Sequence, residues 1–305
     1  MRSSLPDGFT LREVTDADAR AVADVMNAYD AVFATEEVVS ESDVRSWWVD
    51  IGDRGTASLA LDADGVPAGY VEIFSRGDET SMDGYVHPER FGRGVGAAFV
   101  SLGEQCAAEL GSPSVVTGTL AADQRATDLL TARGWKHERV FLRMSIDLRG
   151  DEAPPQSPSG LELREFRLED ARAFHAAKEE AFADHWNYSP ESFDEYSRRA
   201  IEADDFDPTL WWVVEDGDEI AGVIRCSAKR FGSGWVHTVG VRPAWRRRGL
   251  GELLLRTAFA EFARRGEERV ALGVDAENAT GATQLYDRVG MHVVFHANVF
   301  RKQLT

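Results

Sequence analysis

The chain has little cysteine, no long apolar run and a deficit of basic residues. Its two cysteines, Cys106 and Cys226, stand far apart in 305 residues, which argues against a disulfide framework and predicts a reducing cytoplasm. No apolar run approaches membrane-spanning length, and residues 1–8 have no apolar signal core, so we expect no membrane partner. A net charge of -18 argues against nucleic acid as a partner, because phosphates require a basic face.

The residues that are present predict a globular protein with two domains. Hydrophobic residues make up 43% of the chain and aromatic residues 10%, which excludes a disordered chain. A length of 305 residues is enough for two domains that each bury a core of their own.

Four sequence elements occur twice, in the same order and at nearly constant spacing. Segments 11–20 and 163–172 both begin Leu-Arg-Glu, and each precedes an Asp-Gly hairpin turn, at 64–65 and 216–217. A strand, proline and glycine-turn pattern at 86–96 returns at 241–251, and 133–135 is similar to 289–291. Residues 149–160 contain three prolines and are typical of a linker. We therefore predict a domain at 1–150, a proline-rich linker at 151–160 and a second domain at 161–305.

Each half has the alternation of strands and helices that indicates a mixed α/β fold. The predicted order is strand, helical region, hairpin, long strand, glycine turn with helix, strand, helix and final strand. In the second half the predicted strands are 161–166, 210–215, 219–228, 234–241, 269–275 and 293–301.

The segment 237–251 predicts a phosphate-binding turn. It reads as a strand end, a proline, a basic glycine turn and the start of a helix. Backbone N–H groups and the helix dipole converge at such a turn, which suits a pyrophosphate. Gly249 and Gly251 allow a close backbone approach, and Arg246, Arg247 and Arg248 add cationic donors.

Both halves resemble the GNAT superfamily of N-acetyltransferases, and the resemblance covers nearly all of the chain outside the linker. Arg246, Gly249 and Gly251 fit that family's acyl-CoA motif, and 278–291 is similar to its Asn…Leu-Tyr…Gly segment. The resemblance implies two domains, each with a mixed, mostly antiparallel central sheet flanked by helices, and acetyl-CoA as the acyl donor. The implied CoA contacts are the backbone of Val239 and Val241, the turn Arg246, Arg247, Arg248, Gly249, Leu250 and Gly251, and the side chain of Asn278.

The resemblance also implies the catalytic groups. Tyr286 would lie near the thioester sulfur, where a phenol can donate a proton to the leaving thiolate. His237 matches a histidine that removes the amine's proton in related arylalkylamine acetyltransferases, although it could instead only line the cleft. Strand alternation predicts that His237, Val239 and Val241 share one face, with Trp235 on the same face as part of the acceptor pocket or of the core.

The predicted acceptor site includes Asp184, His185 and Trp186, which could hold a cationic amine by charge and aromatic contact. A polar loop with its aromatic rings packed on the core is an equally good reading of this segment. Cys226 has no base beside it in sequence, so we expect it in the core and expect direct transfer without an acyl-enzyme.

The first half departs from the family pattern at three positions. Phe91 stands where the motif has Arg or Gln, Leu130 stands opposite Tyr286, and Ala122 or Asp123 stands opposite Asn278. Gly94 and Gly96 remain, so acetyl-CoA could still bind there. We expect this half to be a degenerate copy without turnover.

The sequence therefore predicts an acetyl-CoA-dependent N-acetyltransferase for a small-molecule amine, with its active site in the second half and no metal. One alternative is a protein or peptide N-acetyltransferase, and another is a CoA-binding regulatory module without turnover. A monomer and a homodimer both fit the sequence.

Overall fold

A computed structural model of the chain describes residues 5–33, 38–153, 155–186, 188–203, 205–278 and 281–304. The chain forms two compact units, one of Met1–Leu142 with Val294–Thr305 and one of Arg143–Val293. We call them unit 1 and unit 2. The division at 1–150, 151–160 and 161–305 stays a prediction. None of the described helices has both the length and the apolar composition needed to cross a membrane.

In its described residues, unit 1 consists of a mixed sheet and four α-helices. Its helices are α1 (Ala19–Val32), α2 (Glu41–Ile51), α3 (Val95–Glu109) and α4 (Gln124–Ala132). Its strands are β1 (Phe9–Glu13), β2 (Gly55–Asp62), β3 (Pro67–Arg76), β4 (Glu79–Val86), β5 (Ser114–Leu120), the first part of β6 (Lys136–Asp147) and the last strand described in the chain, β12 (His292–Gln303).

The strand order in unit 1 is β1-β2-β3-β4-β5-β12-β6. Neighbours from β1 to β4 are antiparallel, β4 and β5 are parallel, and β12 runs antiparallel to β5 from Ala297↔Leu120 to Gln303↔Ser114. The core of unit 1 lies between this sheet and α3, with Phe99 and Val95 of α3 packed near Val71 and Met82. The chain's last strand therefore completes the sheet of the first unit.

Unit 2 has the same architecture. Its helices are α5 (Ala171–Phe182), α6 (Phe193–Tyr196, continued by a π-helical turn over Ser197–Ile201), α7 (Leu250–Arg264) and α8 (Ala282–Arg288). Its strands are β7 (Glu162–Glu165), β8 (Trp211–Asp216), β9 (Glu219–Arg230), β10 (Ser233–Val241) and β11 (Arg269–Asp275), in the order β11-β10-β9-β8-β7, with the end of β6 beside β11. The six strands predicted for the second half agree with β7 to β12 to within a few residues.

Two helices cover opposite faces of the unit 2 sheet. A Cβ on Gly240 would meet Ala181 and Phe182 of α5, whereas a Cβ on Gly234 would meet Phe262 of α7. Leu253, Leu254, Leu255, Phe259 and Phe262 of α7 are all buried. The mixed α/β class with a mostly antiparallel sheet flanked by helices is confirmed.

Candidate active site

The two parallel strands at the centre of unit 2 pair only where they begin. β10 pairs with β11 at Gly234↔Val270 and Trp235↔Ala271, and no later pair joins these strands in the described residues. On its other edge β10 pairs with β9 as far as Val241↔Gly222. The edge of β10 beyond Trp235 therefore offers backbone donors and acceptors to an extended ligand, and Val239 and Val241 lie on it.

The predicted phosphate turn follows directly. A 3-10 turn at Pro243–Trp245 leads into residues 246–249, and α7 begins at Leu250 with Gly249 in a left-handed conformation, φ 82°. The amides of Gly249, Leu250, Gly251 and Glu252 donate no hydrogen bond to another described residue. These free donors at a helix N-terminus form a site for an anion.

Two of the three arginines of this turn have partners in the protein. Arg246 donates from Nε to the carbonyl of Val241 at 3.2 Å and from Nη2 to the carbonyl of Ala181 at 3.0 Å. Arg248 lies 3.4 Å from a carboxylate oxygen of Asp216. Arg246 therefore fastens the turn to the end of β10 and to α5, in addition to any contact with phosphate.

Arg247 occupies the position with the greatest backbone strain in the turn. Its φ is 66°, a left-handed value that side chains with a Cβ rarely adopt. In unit 1 the same place in the repeat holds Gly92, with φ 73°. An arginine retained where the copy has glycine points to a role for its charge.

A β-bulge at His237 corrects the predicted alternation. Val236 pairs with Cys226 and Thr238 with Arg225, so β10 has one extra residue at His237. Val239 and Val241 therefore face α7, whereas Trp235 and His237 face the α5 side. The prediction that His237, Val239 and Val241 share one face is wrong, because the extra residue reverses the alternation.

His237 is held by a neighbour on β9. Its Nε2 lies 2.9 Å from Oγ of Ser227, which faces the same side of the sheet. Burial, together with the positive charges of Arg225, Arg230 and Arg199, lowers the pKa of His237 well below 6.5. The imidazole is therefore neutral at neutral pH, and the same burial and positive charges make it a weaker base than a solvent-exposed histidine.

Tyr286 lies on α8, with its ring buried. Its hydroxyl makes no hydrogen bond with another described residue, and burial raises the pKa of Tyr286. A neutral phenol without an internal acceptor is a free proton donor.

Asn278 precedes α8. Its backbone N–H donates a hydrogen bond of 3.1 Å to the carbonyl of Asp275, at the end of β11.

The predicted acceptor residues lie in two groups. Asp184 and His185 are near the phosphate turn: Asp184 is 3.6 Å from Arg246, and burial with the charge of Arg246 lowers the pKa of His185. Trp235 instead lies near His237, with ring centroids 6.4 Å apart. Trp186, partly buried, follows His185 in the same loop.

Trp235 is itself covered by cationic and aromatic groups. The guanidinium carbon of Arg143 lies 4.2 Å from its ring centroid, and the ring of Phe231 lies 5.0 Å away. Phe231 has φ 53°, a left-handed value that side chains with a Cβ rarely adopt, in the hairpin turn before β10.

Sequence reasoning missed Arg225 and Tyr196, which lie on the same side of the sheet as His237. Arg225 pairs across with Thr238, and its guanidinium lies 5.6 Å from the ring of Trp211. Tyr196 is 2% exposed, and its hydroxyl has no hydrogen-bond partner within the described part of the chain. The sequence did contain one signal for Arg225, which is a charged residue within the otherwise apolar stretch of β9.

Unit 1 places other side chains at the corresponding positions. Phe91 packs edge-on against Tyr29 at 6.3 Å and lies under the guanidinium of Arg125 at 3.8 Å. Asp123 caps α4 and accepts a hydrogen bond from Tyr29, and Leu130 is buried in the core.

Two further features of unit 1 concern its strands and its remaining glycines. β3 and β4 pair without a register shift from Gly69↔Val86 to Arg76↔Glu79, so this copy has no bulge where unit 2 has one. Gly94 and Gly96 keep their places at the start of α3.

Comparison with known proteins agrees with this geometry. The model of the Acetyltransferase (GNAT) family matches residues 22–135 and 173–291. A protein of Kineococcus radiotolerans named mycothiol acetyltransferase is 33% identical over 248 residues, which cover 78% of this chain and 79% of that protein. Its name agrees with the resemblance in layout to mycothiol synthase that the two-copy sequence suggests.

Solved structures match over nearly the full chain. A GCN5-related N-acetyltransferase from Sphaerobacter thermophilus is 33% identical, with a TM-score of 0.84 and coverage of 98% of this chain and 97% of that one. A tandem GNAT protein from the clavulanic acid biosynthesis pathway, 14% identical, has the same fold, with a TM-score of 0.77 and coverage of 97% and 98%. With two family matches, one in each half, this chain belongs to the GNAT family of acetyltransferases and contains two copies of its fold.

Proposed function

We propose that unit 2 binds acetyl-CoA and transfers the acetyl group to the amine of a small molecule by direct attack. The observation that carries the proposal is the row of four free amides at Gly249–Glu252, next to the open edge of β10. The pyrophosphate would bind the amides, and the pantetheine arm would extend along Val239 and Val241. The names of the curated relatives, mycothiol acetyltransferases, favour a small-molecule acceptor.

In the proposed mechanism two groups of the protein handle protons. His237 takes the proton from the amine as its nitrogen attacks the thioester carbonyl, directly or through a water. The tetrahedral intermediate then breaks its carbon–sulfur bond, and Tyr286 donates a proton to the leaving thiolate of CoA. Cys226 takes no part, since it faces α7 in the core and burial raises the pKa of its thiol.

We propose that unit 1 has no turnover. Leu130 supplies no proton donor, and Asp123 is already used to cap α4. A peptide acceptor and a regulatory role without turnover remain alternatives that no particular contact in unit 2 favours. The cytoplasm stays the predicted location.

The test is an acetyl-CoA consumption screen with the full chain, using Tyr286→Phe as the matched blank. Amines of several classes are supplied, and acetylated products are identified by mass spectrometry. We expect the rate with Tyr286→Phe to fall by about 10²-fold or more while acetyl-CoA affinity, measured by calorimetry, is unchanged. Equal rates for both proteins would reject the role of Tyr286.

The pH dependence gives a second readout for the same residue. Because burial raises the pKa of Tyr286 above 10, its ionisation should not reduce the wild-type rate below that pH. A loss of activity near pH 9 that is absent in Tyr286→Phe would contradict this role.

A further inference from the structure

The charges that act on His237 are those of arginines, whereas a site that binds a cationic amine requires negatively charged or hydrogen-bond-accepting groups. Arg225 lies in the middle of β9, and its side chain is only partly exposed. It forms no ion pair and no side-chain hydrogen bond with another described residue. Its contacts are the ring of Trp211 at 5.6 Å and the longer-range charges of its surroundings. A guanidinium has five N–H donors, and burying it without acceptors for them costs folding free energy.

A second unsatisfied donor lies within electrostatic reach of the first. The hydroxyl of Tyr196 is fully buried and has no hydrogen-bond partner among the residues that the structure describes, although buried hydroxyls nearly always have one. Arg225 and Tyr196 each affect the pKa of the other. Burial raises the pKa of Tyr196, so the hydroxyl keeps its proton and remains a donor. Both groups therefore need an acceptor.

The local charge is positive on this side of the sheet. Burial and the charges of Arg199 and Arg230 lower the pKa of Arg225 to about 10, and the same arginines act on His237. Arg199 also pairs with Glu191 at 2.7 Å, and Asp205 acts on Arg225 only at longer range. An ammonium group alone would be repelled here, whereas an anion would be attracted.

The fold itself does not require an arginine at this position. The residue three places after Gly222 is Arg225, and the residue three places after Gly69, in the equivalent strand of unit 1, is Glu72. Glu72 accepts a hydrogen bond from Tyr70, and burial with the nearby Asp83 raises the pKa of Glu72 to about 8. At neutral pH unit 1 therefore has a mostly uncharged carboxyl at the point of the strand where unit 2 has a guanidinium, which indicates a ligand-specific role in unit 2.

We infer that the acceptor amine of unit 2 carries a carboxylate, which binds the guanidinium of Arg225 and the hydroxyl of Tyr196. The inference rests on the proposed function and names the substrate class, a small amino carboxylate. Bidentate pairing with Arg225 and one hydrogen bond from Tyr196 would satisfy donors that are otherwise unpaired. The positive surroundings would also favour the neutral form of the substrate's amine, which is the form that attacks.

The test uses matched acceptors with the full chain. Each of several amino acids is compared with its carboxamide and its decarboxylated amine, for wild type, Arg225→Gln and Tyr196→Phe. Wild type is expected to prefer the amino acid in kcat/KM by roughly 10- to 100-fold, and Arg225→Gln is expected to abolish that preference. Tyr196→Phe should reduce the preference less, since it removes one donor. Acetyl-CoA affinity and the melting temperature report whether each variant is folded.

The outcomes separate this inference from the proposed function. If amides and simple amines react as well as amino acids, or if Arg225→Gln slows all three equally, the carboxylate site is wrong while the transferase stands. If no acceptor is turned over, the products are used as probes. The thermal shift caused by N-acetyl amino acids is compared with that of their amides, and equal shifts in wild type would overturn the inference.

Discussion

The Cβ atom that Gly251 lacks would stand 2.7 Å from Cδ2 of Leu285, so the side chain of Leu285 on α8 occupies space at α7 that only a glycine leaves open. Leu285 directly precedes Tyr286. The same glycine also contributes one of the free amides of the phosphate turn. One residue therefore couples the anion site to the position of the phenol.

We expect Gly251→Ala to displace Leu285 and to lower both stability and the rate of transfer. Overpacking should cost about 1–2 kcal/mol after the gain in helix propensity. The control is Gly96→Ala at the equivalent position of unit 1, where a Cβ would meet Val86 and Leu129 at 3.7 and 3.8 Å. That variant should stabilise the protein by about 0.5–1 kcal/mol. Urea unfolding and kcat measure the two effects, and equal changes in both variants would contradict the packing argument.

Gly249→Glu should abolish acetyl-CoA binding to unit 2. No heavy atom lies within 4 Å of the missing Cβ, so the protein itself leaves room for the side chain, at the cost of a strained φ of 82°. The carboxylate would then repel the phosphates. Calorimetry measures the binding, and Arg248→Gln serves as a milder comparison. Intact affinity in Gly249→Glu would place the nucleotide elsewhere.

Arg247→Gly separates backbone strain from charge. Glycine relieves a left-handed φ worth about 1–2 kcal/mol but loses more entropy on folding, so the net gain in stability should be about 0–1 kcal/mol. The affinity for acetyl-CoA should fall several-fold, because a cation is removed from the phosphate turn. Arg247→Lys keeps both the strain and the charge and should change neither quantity. Unchanged affinity in Arg247→Gly would show that the cation does not contact the ligand.

His237 gives a stability signature below neutral pH. Its folded pKa lies well below 6.5, so the unfolded chain takes up a proton first as the pH falls. The stability this residue contributes is present above 6.5 and is lost as the pH falls toward the folded pKa, by up to about 2 kcal/mol at pH 5. His237→Gln, which can still contact Ser227, should lose correspondingly less stability between pH 7 and pH 5.

Arg225→Gln provides the control for that measurement. Removing its positive charge should raise the pKa of His237 and so reduce the loss of stability at acid pH. Chemical denaturation at several pH values measures the free energy of unfolding of wild type, His237→Gln and Arg225→Gln. An identical pH dependence in wild type and His237→Gln would show that the histidine titrates normally.

Features that depend on local pattern could be predicted from the sequence. The strands of the second half and the glycine turn at 246–251 follow from alternation, glycine and proline. The bulge at His237 could not be predicted, because residues 236–238 alternate like any strand and the extra residue is defined only by pairing with Cys226 and Arg225. The unpaired state of Arg225 and Tyr196 likewise depends on neighbours distant in sequence.

The strand with which β12 pairs could not be predicted from the local sequence pattern. Residues 293–301 read as a strand, yet nothing in them indicates that they pair with β5 rather than with a strand of their own half. Whether Leu130→Tyr gives unit 1 any turnover must therefore be tested in the full chain, since a fragment ending at the linker lacks β12.

The placement of β12 also has a consequence for biosynthesis. As the ribosome moves along the message, β5 emerges long before the strand that pairs with it, so unit 1 cannot complete its sheet until translation has passed through unit 2. A gene truncated after the first copy would yield a sheet with an uncovered edge, prone to aggregation. The order of synthesis thus makes the folding of the first copy depend on the presence of the second, whatever chemistry the first copy performs.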